Sequence, residues 1–153
     1  MQTAWVMRRS SANHAVSQSA RTVARCLWLT PATTRSGGWS ADGVGGAAQF
    51  RYPNGLTISP DGSALFVADA DNNKIRRAEV ATGAVTTLVA TGAVTTLAGS
   101  GEEGGADGVG GAAQFRYPNG LTISPDGSAL FVADADNNKI RRAEVATGAV
   151  TTL

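Results

Sequence analysis

An internal duplication constrains this chain more than any other feature of its sequence. Residues 41–88 and residues 106–153 are the same 48 letters without one difference, and the second copy starts 65 positions after the first. The last eight residues of the first copy are themselves duplicated, since residues 81–88 and 90–97 both read ATGAVTTL. Repeated units bury their apolar faces mainly against neighbouring units. The chain is therefore expected to fold as two stacked copies of one small unit.

Each copy reads as four short strands. In the first copy these are residues 56–59, 64–68, 74–80 and 84–88, in which β-branched and other apolar residues dominate. Turns separate them at Pro60-Asp61-Gly62, at residues 69–73 and at residues 81–83. Residues 64–68 (ALFVA) form a nearly continuous apolar run, which predicts a strand buried on both faces. No sustained 3.6-residue apolar period occurs after residue 40, so we predict an all-β fold.

The order of these residues resembles the NHL repeat, which forms one blade of a β-propeller. The matching segments are Pro53-Asn54-Gly55-Leu56-Thr57-Ile58, Asp61-Gly62, Leu65-Phe66-Val67-Ala68-Asp69 and Asn73-Lys74-Ile75-Arg76, repeated at 118–123, 126–127, 130–134 and 138–141. The Gly-rich residues 98–111 are similar to the connectors of multi-NHL propellers. Lys74 is a mild departure from the family pattern, which usually has Arg there. The resemblance implies propeller-type blades of four antiparallel strands, two of them, in an incomplete ring.

These features predict four segments. Residues 1–40 form a basic Ser/Arg-rich leader, residues 41–97 a first blade with a duplicated outer strand, residues 98–117 a connector and entry loop, and residues 118–153 a second blade. The leader has five Arg and no Asp or Glu, together with all three Trp and the single His and Cys. It resembles an organellar transit peptide. The alternatives are a disordered leader without function, a reading frame extended too far upstream, or a locally helical segment.

The extra outer-strand sequence has two candidate arrangements. We favour a hairpin in which residues 93–97 form a fifth strand beyond residues 84–88. In the alternative, residues 93–97 take the place of residues 84–88 beside the third strand.

Two blades leave both outer faces exposed, since closed propellers typically need 4–8 blades. The sequence thus predicts either a fragment of a longer propeller or self-association through exposed blade faces. Three chains of two blades would close a ring of six.

Several classes of function find no support in the sequence. The formal charge of +1 argues against a nucleic-acid partner, and no apolar run reaches the length of a membrane span. Residues 69–73 (DADNN) begin like a calcium loop, but Lys74 and Val80 stand where an EF-hand needs Gly and Glu. Residues 99–104 match GxGxxG only by letters, since more glycine follows them and a helix does not. We therefore predict no cofactor, no metal and no catalysis.

One loop face remains as the candidate binding surface. In a four-stranded antiparallel blade, the turn between strands two and three lies at the same end as the entry to strand one. An aromatic residue with Arg and Asn is typical of protein recognition. The predicted surface consists of Arg51, Tyr52, Asp71, Asn72, Arg116, Tyr117, Asp136 and Asn137.

The predicted function is a non-catalytic propeller segment that binds a protein partner or acts as a scaffold. The alternative is a fragment of a propeller enzyme, lactonase-like or lyase-like, whose catalytic blades are missing. A structural role is also open for the loop-face residues, with Tyr52 packed on the neighbouring blade and Arg51 solvated.

Overall fold

The computed structural model describes residues 41–44, 47–80 and 92–153. The predictions made for residues 1–40 and 84–88 lie outside the described residues. Within the described part, the regular secondary structure is ten β-strands and a few single 3-10 turns. None of the described segments is a helix of the length and apolarity needed to cross a membrane.

The strands form two antiparallel sheets of five strands each, one for each copy of the repeat. In the first sheet the spatial order is β1-β5-β4-β3-β2, and in the second it is β6-β10-β9-β8-β7. The strands of the first sheet are β1 (Gly43–Val44), β2 (Pro53–Ile58), β3 (Ala64–Asp69), β4 (Lys74–Glu79) and β5 (Ala93–Ala98). Those of the second are β6 (Gly108–Val109), β7 (Pro118–Ile123), β8 (Ala129–Asp134), β9 (Lys139–Glu144) and β10 (Ala149–Thr152).

Strand β3, an interior strand of the first sheet, is buried as its composition predicts. All six residues of β3 are buried, because this strand has a paired strand on each side and apolar side chains on both faces. Each sheet also contains a short strand that the sequence pattern does not reveal. This fifth strand is only two residues long and pairs with the outermost long strand, as in Gly43 opposite Val94.

The duplicated outer strand takes the arrangement that we did not favour. Residues 93–98 pair directly with β4, with Arg77 opposite Thr95 and Ala78 opposite Val94. The free edge of β4 accepts one strand only, so the prediction of a hairpin with residues 93–97 beyond residues 84–88 is wrong. The second copy of the ATGAVTTL sequence takes the position because it leads straight into the connector. Ala98 is opposite Ile75, and the Gly99 N–H then donates to the Gly110 carbonyl.

The turn between the first two long strands is held by an aspartate. The Gly62 N–H donates to the Ser59 carbonyl over 2.9 Å, which closes a four-residue turn in which Gly62 has a φ of +76°. The Asp61 carboxylate accepts the Ser59 hydroxyl at 2.5 Å and the Ser63 N–H at 3.0 Å. These hydrogen bonds lower the pKa of Asp61 from 3.8 to about 2, with the Ser59 hydroxyl as the largest cause. The second copy repeats this, and the pKa of Asp126 also falls to about 2.

We expect these two turns to make the fold sensitive to acid. A carboxylate whose pKa is lowered on folding stabilises the fold above its unfolded value near 3.8, and this stabilisation is lost as the pH falls towards about 2. Asp61→Asn and Asp126→Asn should each flatten the fall of the urea midpoint between pH 4 and pH 2. The turns are identical in sequence, so the two single effects should be equal and should add in the double variant. An unchanged pH profile in the double variant would contradict this account.

The hydrophobic core lies between the two sheets. On β3 the side chains of Ala64, Phe66 and Ala68 point towards the second sheet. They share a core there with Leu130 and Val132 of β8. The remaining members of this core come from β4, β5, the connector, β9 and β10: Ile75, Ala98, Ala113, Phe115, Ala143 and Val150. All of them are at most 2% exposed. The two repeats therefore share one core, as expected for stacked blades.

The innermost strands of the two sheets approach very closely. A Cβ atom on Gly55 of β2 would lie 2.3 Å from the Asn119 carbonyl oxygen of β7. Gly120 is the counterpart of Gly55 in the second sheet, and a Cβ atom there would meet only the Ala133 methyl, at 3.5 Å. The same glycine is thus required by packing in one copy and not in the other, because only the first copy has a neighbour on that side.

The two outer faces of the pair differ in exposure. On the second sheet, Ile140 is 50% exposed, whereas its counterpart Ile75 is fully buried between the sheets. On the first sheet, Leu65 and Val67 point away from the shared core but are only 3% and 2% exposed. The prediction that both outer faces are exposed is therefore wrong for Leu65 and Val67 of the first sheet.

Candidate functional site

A buried aspartate at the end of β3 organises the loop face. Asp69 is fully buried, and one of its carboxylate oxygens accepts the Arg51 N–H at 2.7 Å. The other accepts the Asn72 amide and the Arg76 guanidinium, both at 2.9 Å. One side chain therefore fixes the entry loop, the 3-10 turn Ala70–Asn72 and strand β4 together. Asp134 makes the same three contacts in the second copy, to Arg116, Asn137 and Arg141.

The arginine of this network is buried, which sequence reasoning did not predict. Arg141 has no exposed surface, and its guanidinium donates to Asp134 and Asp107 at 2.8 Å each. It also donates to the backbone carbonyls of Ala106 and Gln114, at 2.8 and 2.9 Å. The Phe115 ring lies 5.3 Å from the guanidinium carbon. The network thus ties the connector to the blade, and Arg76 makes the equivalent contacts in the first copy.

Two tyrosines meet at the boundary between the blades on this face. Their ring centroids are 5.8 Å apart with an angle of 35° between the planes. Tyr52 is 55% exposed, and Tyr117 is half-buried. Both have a φ of +51°, a left-handed conformation that is strained for a residue with a bulky side chain. The Tyr117 N–H donates to the Asn73 side-chain oxygen at 2.9 Å, so the first blade holds the loop of the second.

Charged side chains flank the tyrosine pair. Arg51 lies 3.3 Å from Asp71, and Arg116 lies 3.2 Å from Glu103 and 3.9 Å from Asp136. Two positive and three negative charges surround the rings, so the local balance is negative. Burial raises the pKa of Tyr117 above 10, and the Tyr52 hydroxyl and the charges of Asp71 and Asp136 add to that effect.

The predicted loop-face residues divide into two groups. Six of them form the exposed surface described above, which we call the tyrosine face: Arg51, Tyr52, Asp71, Arg116, Tyr117 and Asp136. Asn72 and Asn137 instead turn inward and bond to the buried aspartates, and Asn137 also donates to the Gly104 carbonyl at 2.7 Å. Glu103 was not predicted, because its place beside Arg116 depends on the path of the connector.

The described residues contain no group of three or more His, Cys, Asp or Glu side chains arranged to hold a metal ion. The carboxylates of the DADNN segment are directed elsewhere: Asp69 into the buried network and Asp71 towards Arg51.

Comparison with known proteins identifies the repeat. No family model matches the chain. The NHL repeat-containing protein 2 of Homo sapiens is 33% identical over 116 residues, which cover 73% of this chain, and that of Bos taurus is 34% identical over 113 residues. The chain belongs to the NHL-repeat propeller family. Its Asp69–Arg76 network shows what the repeat's spaced Asp and Arg do in this fold, since they join two strands and two loops inside each blade.

A plant relative matches the same part of this NHL-repeat chain. Protein SUPPRESSOR OF QUENCHING 1, chloroplastic, from Arabidopsis thaliana is 36% identical over 104 residues, or 68% of the chain. The chain spans 10% of that protein and 14% of the NHL repeat-containing proteins 2.

Solved structures agree with the propeller-type fold. An auxiliary nutrient binding protein from Bacteroides ovatus superimposes with a TM-score of 0.54 and 25% identity, over 77% of this chain and 26% of that one. A luciferin-regenerating enzyme superimposes with a TM-score of 0.52 and 16% identity, over 70% of this chain and 31% of that one. The predicted all-β, propeller-type blades are therefore confirmed.

These neighbours also correct one prediction. We predicted a non-enzymatic protein because the duplicated blades contain no histidine and no visible catalytic set. The luciferin-regenerating enzyme has the same fold, so the prediction that a chain of this type is not an enzyme is wrong. Identical blades do not exclude an enzymatic context, because a propeller supports chemistry through residues spread over several blades.

Proposed function

We propose that the chain is a propeller segment that binds a protein partner through the tyrosine face. The observation that carries this proposal is the tilted ring contact between Tyr52 and Tyr117, each held at a φ of +51°. Backbone strain of this kind costs about 1–3 kcal/mol per residue and is found most often at binding and catalytic sites. Here the Asp69 and Asp134 networks fix the preceding residues, Arg51 and Arg116, through their N–H groups.

The chemistry of the face favours a cationic side chain on the partner. Aromatic rings attract a cation placed over their faces, and exposed tyrosines accept arginine or lysine in this way. Asp71, Glu103 and Asp136 surround the rings and exceed the two arginines in charge. The charges of Asp71 and Asp136 contribute to the raised pKa of Tyr117, after its burial and the neighbouring Tyr52. An extended protein segment with an arginine or lysine over the tyrosine pair therefore suits this surface best.

The test uses the fact that Tyr52 and Tyr117 are the only tyrosines of the sequence. The full chain with 13C-labelled tyrosine rings is titrated with a Gly/Ser peptide that carries one central arginine. The control peptide has citrulline, which has nearly the same shape without the charge. We expect both ring resonances to shift with the arginine peptide and to stay in place with the citrulline peptide.

Two variants separate the ring from the hydroxyl group. Tyr52→Ala should weaken binding of the arginine peptide about 3- to 30-fold, the equivalent of about 0.7–2 kcal/mol of cation–π energy. Tyr52→Phe keeps the ring and should stay near the parent affinity. The proposal fails if the citrulline peptide binds equally well, or if Tyr52→Ala binds the arginine peptide as tightly as the parent chain.

A segment of a lactonase-like or lyase-like propeller enzyme is the second candidate. It is supported by the enzyme among the proteins of similar fold. Incubation of the full chain with a simple lactone, followed by titration of the released acid, would test the first of these activities. Acid release at the rate of the buffer blank would count against it.

A further inference from the structure

The second blade presents a face whose counterpart in the first blade is buried. Ile140 is 50% exposed and Ile75 is 0% exposed, although the two residues have the same neighbours in sequence. Phe131 and Ala133 are half-buried and Ala135 and Asn138 are exposed, whereas all four counterparts are buried. We call this set the open face: Phe131, Ala133, Ala135, Asn138 and Ile140. It differs from the buried face of the first blade because no blade among the described residues packs on it.

The structure itself shows which surface covers such a face. Phe66, Ala68 and Ile75 of the first blade pack against Leu130, Val132 and Ala143 of the second. The first blade has the same three residues at equivalent positions, and they are Leu65, Val67 and Ala78. The chain therefore has two copies of each of the two surfaces that form this interface. One copy of each surface is paired within the chain.

The hydrogen-bonding and close-contact positions of the interface within the chain also have counterparts on the open face. Asn73 accepts the Tyr117 N–H, and its counterpart Asn138 is exposed on the open face. The Asn119 carbonyl reaches the bare Cα of Gly55. Gly120 has the equivalent open space on the second blade. A second copy would fill these positions with its Tyr52 N–H and its Asn54 carbonyl.

We propose that the open face of one chain binds the first blade of a second copy, in the geometry of the interface within the chain. This contact is head-to-tail, so it repeats around an axis and closes when the ring is full. Closed propellers have 4–8 blades, so two to four chains of two blades complete a ring. Each chain added in this way buries Ile140 and Phe131 as Ile75 and Phe66 are buried now.

The first blade sets the strength of this contact. Leu65 and Val67 are already 3% and 2% exposed within the single chain, so association has to uncover them before they can meet the open face. A binding surface that is available only part of the time lowers the apparent affinity by that fraction. We therefore expect assembly that depends on concentration rather than a permanent oligomer.

The test is the mass of the full chain measured by sedimentation velocity across a concentration series. We expect a single-chain species in dilute solution and a species of two to four chains at high concentration. Gly120→Ala should raise the concentration of half-assembly by about 5- to 150-fold, the range that corresponds to overpacking of a close contact. Its added methyl group meets only the Ala133 side chain at 3.5 Å in the single chain, so the variant should fold normally.

Two further variants keep the test decisive. Gly111→Ala is the matched control, since a Cβ atom there meets nothing within 4 Å and the residue lies away from the open face. It should assemble like the parent chain. Ile140→Lys places a charge on the open face and should prevent assembly. A single-chain mass at every concentration overturns the proposal, and so does assembly that both Gly120→Ala and Ile140→Lys leave unchanged.

Discussion

Replacement of Arg141 by alanine is expected to lower the free energy of unfolding by about 3–5 kcal/mol. The guanidinium is fully buried and donates to Asp134, to Asp107 and to two backbone carbonyls. Truncation leaves Asp134 as a buried carboxylate without its cation, which is the costly state of a broken buried ion pair. The carbonyls of Ala106 and Gln114 lose their donor at the same time, so the connector should detach from the second blade.

The next residue in the chain provides the control. Arg142 is part of the same strand, but it is half-exposed and pairs with Glu144 at the surface. Surface ion pairs contribute about 0–1 kcal/mol, so Arg142→Ala should change stability little. Urea unfolding followed by circular dichroism compares the two variants directly. Equal losses in both would show that the buried network does not carry the stability assigned to it.

Replacement of Gly55 by alanine is expected to separate the two blades. The added methyl carbon would lie 2.3 Å from the Asn119 carbonyl oxygen, a distance that no packed structure tolerates without movement of a backbone. The obstacle is main chain rather than a flexible side chain, so β2 and β7 have to move apart. Overpacking of this kind costs about 1–3 kcal/mol, and here it acts on the only interface that the two blades share among the described residues.

Gly120→Ala is the matched substitution, because the same residue changes in the same repeat sequence. In dilute solution, where we expect single chains, it should unfold at the parent urea concentration. The Gly55→Ala variant should unfold earlier and should expose the Phe66 ring to solvent, which is measurable as increased binding of a hydrophobic dye. The account of the interface is wrong if the two variants have the same urea midpoint.

Several features of the fold could be predicted from the residues. The strands follow from short apolar runs between Gly, Pro, Asn and Asp, and the Pro60-Asp61-Gly62 turn forms where those residues require it. These are local preferences, so they depend on a few neighbouring residues that the sequence displays together. The loop face was predictable for a related reason, since strand direction alone places residues 51–52 beside residues 69–73.

Other features depended on contacts between distant residues. The sequence contains two equivalent candidates for the outer strand, and only the pairing of β4 shows that residues 93–98 occupy that edge. Arg76 and Arg77 are adjacent and have the same chemistry. Because successive side chains of a strand point to opposite faces, the sequence predicts that the two lie on different sides of the sheet. The burial of Arg76, however, depends on Asp42 and Asp69, which come from elsewhere in the chain.

The sequence by itself determined the family, most of the long strands and the division into two blades, because each of these follows from local patterns that repeat without change. Only the tertiary structure decided which member of each identical pair is buried. Ile75 and Ile140, and likewise Gly55 and Gly120, have the same local sequence and different surroundings. The physical reason is that burial and close approach depend on what packs against a blade, and the blades differ in their neighbours, not in their residues.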